Sequence, residues 1–252
     1  KNLVIHYVDQ LHIGTAILDN SKGGVDGNWT GDNSLDLEPD DFEGSRSFYQ
    51  RIDYLSTYGM GNDFTVGTES ELARKWMLEI GSFNTELMKG ATQGILSYAV
   101  TVKIDKLFMK SEEDNDNIGM NLSFAAHWEI TDAHFVGGKD YAIVAKDADW
   151  QKPKLNIQSL YISSPHGNGI ELWGADATIK YFEAVNVNGT VLYVHATNDQ
   201  DIRIESLITR DSSVDEIIFI SDYGFTPTVE LSNVVVSDNR KKKVDTILHL
   251  HT

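Results

Sequence analysis

Apolar residues in the second half of the chain recur in a seven-residue phrase. Aligned on its first apolar residue it reads Ile130-Thr-Asp-Ala-His-Phe-Val136, Ile157-Gln-Ser-Leu-Tyr-Ile-Ser163, Phe182-Glu-Ala-Val-Asn-Val-Asn188, Ile204-Glu-Ser-Leu-Ile-Thr-Arg210 and Leu231-Ser-Asn-Val-Val-Val-Ser237. Positions one and four are always apolar and position six nearly so. Position three is Asp, Ser, Ala, Ser or Asn, short residues that tolerate a sharp backbone bend. A second phrase with period two follows each first one: Ala142-Ile-Val144, Ile170-Glu-Leu172, Leu192-Tyr-Val194, Ile218-Phe-Ile220 and Leu248-His-Leu250. Three short strands per repeat are predicted.

First-phrase starts at 130, 157, 182, 204 and 231 give repeats of 27, 25, 22 and 27 residues. Self-similarity at such a period signals stacked units, none of which buries its apolar face alone. Strand-only repeats with a polar bend fit an all-β fold, a right-handed single-stranded parallel β-helix of about six to seven coils. Inward side chains of successive coils then stack about 4.8 Å apart, the spacing of neighbouring strands.

Val8-Asp-Gln-Leu-His-Ile-Gly14 and Ile104-Asp-Lys-Leu-Phe-Met-Lys110, the latter followed by Met120-Asn-Leu122, fit the phrase in the first half. The whole of 1–252 therefore reads as one β-helix domain, with 20–93 as an insertion or cap region. Ser21 to Glu43 is rich in Gly, Asp and Asn, as a long loop would be. Ile52-Asp-Tyr-Leu-Ser-Thr57 is a further, weaker match because Tyr54 is large for position three. Thr68-Glu-Ser-Glu71 reads as a capping box, and Leu72, Trp76 and Ile80 recur at helical spacing before Gly81. A helix over about 69–80 is expected there. In the coil starting at Phe182, Lys180 stands where other coils carry Val102, Trp128, Leu155, Ile202 or Val229, so a local bulge is expected.

The pattern apolar-x-apolar-x-(Asn/Asp/Ser)-apolar-x-apolar, then Gly-Ile-x-Leu, as in Leu155 to Ile162 with Gly169 to Leu172, resembles the coil pattern of the pectin-lyase-like β-helix superfamily. That superfamily includes pectate lyases, polygalacturonases and the tailspikes and appendages of bacteriophages. The resemblance covers the second half of the chain well and the first half patchily. It implies an extracellular or virion-surface protein, homotrimeric, whose partner is a cell-surface glycan. One fold hosts many activities, so function must be argued from a site. Ser163-Ser-Pro-His-Gly-Asn-Gly169 echoes the Gly-His-Gly of polygalacturonases, but their Asn-Thr-Asp triplet, coil-borne Asp-Asp pair and Arg-Ile-Lys are missing. Asp40-Asp41 lies in the insertion and Arg203-Ile-Glu205 ends on the wrong residue.

Composition narrows the partners. The chain has 252 residues, 41% of them hydrophobic, and a formal charge of −17. Nothing resembles a continuous basic face, so neither nucleic acid nor an anionic membrane is an expected partner. Arg240 to Lys243 is the one basic run and reads as a solvated turn. Cysteine is absent, which removes disulfides and thiolate chemistry. No run of 18 apolar residues marks a membrane span, and the first residues do not form a signal peptide. The start at Lys1 and the end on a third strand read as a piece cut from a longer chain.

Outward positions of a β-helix form columns that bring distant residues together. Position two supplies Asp105, Thr131, Gln158, Glu183, Glu205 and Ser232, with Tyr181 and Arg203 in the column beside it. Glu183 and Glu205 are thereby expected side by side, and two carboxylates about 5 Å apart suit a retaining glycosidase. In that reading they are acid and nucleophile and Arg203 orients the substrate; in the other they are solvated surface charges. The third strand turns Glu171, Tyr193, Phe219 and His249 outward in one column, and Trp173, His195, Ser221 and His251 in the next. Contiguous exposed aromatics form a seam between subunits, a sugar-stacking platform or a surface covered by loops. Trp173, Tyr193, Phe219, His195 and Glu171 are the expected substrate contacts.

No metal and no cofactor are expected. His249 and His251 share a strand face without a third ligand at suitable spacing. The acidic run Glu112 to Asp116 lacks the glycine and closing Glu of a calcium loop. Gly23-Gly24 and Gly137-Gly138 read as turns, and no phosphate loop or nucleophile elbow occurs. Two functions stay open: recognition of a cell-surface polysaccharide, with or without depolymerisation by hydrolysis or elimination, and a non-catalytic shaft or adhesin segment of a trimeric fibre.

Overall fold

The computed structural model describes residues 3–6, 10–20, 35–38, 48–59, 62–67, 76–87, 93–98, 100–112, 118–123, 126–147, 152–163, 167–212, 216–237 and 246–251. Among them every regular element is a strand. The chain runs through β1 (Leu3–His6), β2 (Gln10–Asn20), β3 (Leu35–Glu38), β4 (Phe48–Gly59), β5 (Asn62–Val66), β6 (Trp76–Leu87) and β7 (Gln93–Ser97). It continues with β8 (Thr101–Ser111), β9 (Ile118–Leu122), β10 (His127–Val136), β11 (Tyr141–Lys146), β12 (Lys154–Ser163), β13 (Asn168–Trp173) and β14 (Asp176–Val185). The last elements are β15 (Leu192–Ala196), β16 (Asp201–Arg210), β17 (Glu216–Asp222), β18 (Thr228–Leu231), β19 (Val234–Ser237) and β20 (Thr246–His251).

Short strands β1, β3, β5, β7, β9, β11, β13, β15, β17 and β20 stack in that order in one parallel sheet. Long strands β2 to β16, even numbers only, stack in a second parallel sheet that ends on β18, while β19 also pairs with β16. Alternate strands stacked in chain order make a parallel β-solenoid.

Register follows the first phrase. Ile13, Ile52, Ile80, Ile104, Ile130, Ile157, Ile179, Ile204 and Leu231 form one continuous ladder. It is buried from Ile52 to Ile204. Three residues on, Leu55, Phe83, Leu107, Ala133, Leu160, Phe182 and Leu207 form a second buried ladder. Between the two ladders each long strand turns two successive residues outward, as Thr131 and Asp132 do in β10. That pair is the polar bend of the phrase. Burying each Leu, Ile or Phe stabilises the stack by about 1.5–3 kcal/mol, and each coil draws this only from its neighbours.

The coil in β14 is registered three residues earlier than its apolar pattern suggests. Ile179 aligns with Ile157 and Phe182 with Leu160, so the phrase there runs from Ile179 to Val185. The departure at Lys180 disappears, because Ala177 fills the place of Leu155 and Ile202. In β2 the ladder position is Ile13, and Val8 lies outside the described residues. In β11 Ile143 aligns with Ile170, one residue after Ala142.

The expected helix over 69–80 is corrected where it can be seen. Trp76, Leu78 and Ile80 are buried and alternate with half-exposed Met77 and Glu79, a period of two. Pairing with β4 on one side and β8 on the other satisfies the backbone as strand. Ile80-Gly-Ser-Phe83 then repeats the solenoid phrase. The capping box and Leu72 lie outside the described residues, as do Gly23-Gly24, Asp40-Asp41, Glu113 to Asp116, Ser164 to His166 and Arg240 to Lys243. Ile52 belongs to a full rung, and Tyr54 is accommodated because position three faces solvent.

Two tight sites explain required glycines. Gly137 has a φ of 87°, and a Cβ on it would lie 1.9 Å from the Ser111 carbonyl oxygen. A Cβ on Gly169 would meet the Val191 carbonyl oxygen at 2.1 Å. Inside the core the buried Trp128 indole donates to Ser97 Oγ at 2.8 Å.

Candidate functional site

Parallel pairing without slip makes the outward face of the short-strand sheet a regular lattice. Glu171, Tyr193, Phe219 and His249 align on β13, β15, β17 and β20, and Trp173, His195, Ser221 and His251 align beside them. Both predicted columns are therefore present. Above them the columns carry Val144 and Lys146 of β11, so the aromatic stretch begins with β13.

The rings pack on one another. Trp173 stacks on His195 with centroids 3.7 Å apart, and Tyr193 stacks on His195 at 4.0 Å. Tyr193 meets Phe219 edge to face at 4.6 Å, and Phe219 meets His249 at 4.8 Å. Tyr223, on the turn after β17, lies 6.1 Å from Trp173 and 6.0 Å from His195, with 58% of it exposed. Lys146 Nζ stands 5.1 Å from the Trp173 ring centroid, a cation–π contact.

A polar core runs beneath the rings. His195 Nε2 hydrogen-bonds Glu171 Oε1 at 3.0 Å, and Ser221 Oγ lies 3.3 Å from His195 Nδ1. His195 and Ser221 are each only 4% exposed although they point away from the solenoid core. Burial, reinforced by the nearby Glu171 carboxylate and Tyr193, pushes the Tyr141 phenol well above its ordinary range. Burial also raises Tyr193, with Tyr223, Glu171 and Glu216 adding to the effect. Both therefore present neutral hydroxyls beside a carboxylate. One coil on, His249 Nδ1 hydrogen-bonds Glu216 Oε1.

Glu183 and Glu205 are not neighbours. The three-residue shift in β14 places Glu183 at position five, between Tyr161 and Ile208. There it accepts from the Tyr181 hydroxyl at 2.9 Å and pairs with Arg210 Nε at 3.1 Å. Glu205 stays at position two, exposed, where the preceding coil carries Lys180. Arg203 aligns with Thr178 and Glu230 and pairs with Asp201 at 3.1 Å. The side-by-side acid pair, with Tyr181 and Arg203 flanking it, is thus overturned by register.

A second feature lies along the bend of the long strands. An open trough of about 440 Å³ spans β8, β10, β12 and β14, lined by Lys103, Asp105, Glu129, Thr131, Asn156, Gln158, Thr178 and Lys180. Lys103 and Glu129 pair across it at 3.1 Å. At its rim Asn156 Nδ2 lies 3.2 Å from His127 Nε2, and burial holds the His127 imidazole below its ordinary pKa.

Among the described residues no group of three or more His, Asp or Glu side chains is arranged to hold a metal ion. The rings of His249 and His251 stand 6.3 Å apart, edge to face. Tyr141, Tyr223 and the Ser221 contact were not singled out by the sequence pattern. Only the register of three successive coils brings them to Glu171 and His195.

The class that these observations define is a parallel β-solenoid with an organised aromatic and acidic face. Comparison of the chain with family models, with curated proteins and with solved structures finds no match.

Proposed function

We propose that the protein recognises a cell-surface polysaccharide through the face built from Trp173, Tyr193, Phe219, His195 and Glu171, in the manner of the phage tailspikes that its coil pattern resembles. One observation carries this reading: aromatic rings on three successive coils form a contiguous cluster beside a carboxylate and neutral tyrosine hydroxyls. Ring faces stack against the C–H faces of sugars, while carboxylate and phenol groups fix hydroxyl orientation. An extracellular or virion-surface setting belongs to the same reading. Cleavage by a Glu183 and Glu205 pair is no part of it, since the two carboxylates stand at different positions of the coil.

A second reading, a subunit of a trimeric fibre shaft, is favoured by another surface. Position five of the long strands aligns Phe108, His134, Tyr161, Glu183, Ile208 and Val235 outward, with Phe108 and Val235 exposed. His134 and Tyr161 rings lie 5.4 Å apart within it. Such a ridge suits burial against a second copy of the chain.

The test is binding of a panel of bacterial surface polysaccharides by the parent and by a Trp173→Ala/Tyr193→Ala/Phe219→Ala variant, with mass in solution measured by light scattering. Glycan binding lost in the variant at unchanged mass supports recognition by this face. A trimeric parent that becomes monomeric in the variant, with no glycan bound by either, makes the aromatic columns a seam and overturns it.

A further inference from the structure

Glu171, His195 and Ser221 are separated by 24 and 26 residues in sequence yet lie on adjacent coils within hydrogen-bond reach. His195 aligns with Ser221 across β15 and β17, and Glu171 stands diagonally from His195 across β13 and β15. We propose that these three side chains form a serine nucleophile, its base and the group that positions the base, and that they hydrolyse small acyl esters. The substrate class follows from the chemistry of a serine oxygen beside an imidazole. That the esters are O-acyl groups of a bound polysaccharide rests on the function proposed above.

The hydrogen-bond pattern is consistent with one tautomer. With Nε2–H of His195 donating to Glu171 Oε1 at 3.0 Å, Nδ1 is left as an acceptor, and the one Ser221 Oγ–H has two acceptors in reach, Nδ1 at 3.3 Å and the Val194 carbonyl oxygen at 3.4 Å. Ring stacking by Trp173 and Tyr193 holds the imidazole plane in place. The two nitrogens are exchanged relative to the usual triad, in which Nε2 faces the serine and Nδ1–H the carboxylate.

In the first half-reaction Ser221 Oγ bonds to the acyl carbon and its proton passes to His195 Nδ1. The bond from that carbon to the alcohol oxygen breaks, and the alcohol departs with the proton from Nδ1. In the second half-reaction water attacks the acyl carbon and gives a proton to Nδ1. The carboxylic acid leaves and the proton returns to Ser221 Oγ. Ester and water give acid and alcohol, with no change of oxidation state.

Ser221 and His195 are each 4% exposed, so access depends on what covers them. Tyr223 lies over His195 and Trp173 from the turn after β17 and is itself 58% exposed. In this proposal Tyr223 is the cover, so Tyr223→Ala is expected to speed acylation severalfold.

The experiment treats the full chain with p-nitrophenyl acetate and, separately, with a fluorophosphonate followed by intact mass and peptide mapping. Wild type is expected to release p-nitrophenolate above buffer and to take up one label, on Ser221. Ser221→Ala should fall to the buffer rate and stay unlabelled, and His195→Ala should lose about a hundredfold or more, the usual worth of a general base. Glu171→Gln should lower kcat with KM unchanged, a split that loosened packing alone would not give. Absence of label on wild-type Ser221, or a Ser221→Ala variant as fast as wild type, overturns the proposal. If Ser221→Ala does not fold, the site of labelling in wild type decides. Because the probe is not a sugar, failure here leaves glycan binding standing, and failure of glycan binding leaves ester hydrolysis to be judged alone.

Discussion

Two outward surfaces of this solenoid, one on the earlier long strands β6, β8 and β10 and one on the later short strands β13, β15 and β17, differ in kind. On β6, β8 and β10 outward charged residues form exposed ion pairs, Lys103 with Glu129 at 3.1 Å and Lys110 with Glu86 at 2.6 Å. Along β13, β15 and β17 outward residues form a stacked, hydrogen-bonded cluster in which His195 and Ser221 are nearly as buried as the core. Parallel stacking requires neither arrangement, since both surfaces lie outside the apolar ladders. Exposed charge pairs on a solenoid exterior contribute little to stability, whereas ordered burial on the exterior is not required by the stack and singles out the face to be tested.

The largest expected break in that contrast is Trp173→Ala. Removing the ring that stacks on His195 should cost about 2–3 kcal/mol in urea unfolding, less than a fully buried Trp because Trp173 is only partly buried. A loss near zero would make the aromatic face equivalent to the ionic one. Next comes Glu171→Ala, which leaves the buried His195 Nε2 without its acceptor and should cost about 1–3 kcal/mol.

Titration separates the surfaces by sign. Tyr141 is raised above 10.0, so its contribution is fully present below that pH and is lost as pH rises through the folded value. Tyr141→Phe should flatten the alkaline limb of the stability profile. His127, at the trough, is lowered below 6.5, so its contribution is present above that pH and is lost as pH falls through the folded value. His127→Gln should flatten the acid limb. Thermal melting across pH reads both, and unchanged limbs would place the two groups in similar solvent.

The smallest effect belongs to the ionic surface. Lys103→Ala should cost less than about 1 kcal/mol and nothing measurable at high salt, because both partners are about 40% exposed. A larger loss would show that the trough, too, is an organised site.

Much of the fold was legible because period-two apolar alternation and short polar bends repeat along the chain. The aromatic columns were legible for the same reason: Ile170, Leu192 and Ile218 fix the register of their strands, and everything outward follows. Where two apolar residues compete for one ladder position, pattern alone failed. Ile179 and Phe182 both fit, and the three-residue difference moved Glu183 from position two to position five. At Trp76, Leu78 and Ile80 helical and strand spacings coincide on two of the three residues, and pairing with β4 and β8 decided for strand.

Sequence by itself determined that this chain stacks strands into a solenoid, because apolar alternation and bend residues are local and each coil needs only its neighbours. Tertiary structure alone decided which outward residues touch. A contact between coils depends on register over about 25 residues, and a slip of a few residues in one coil exchanges its neighbours while leaving the local pattern intact.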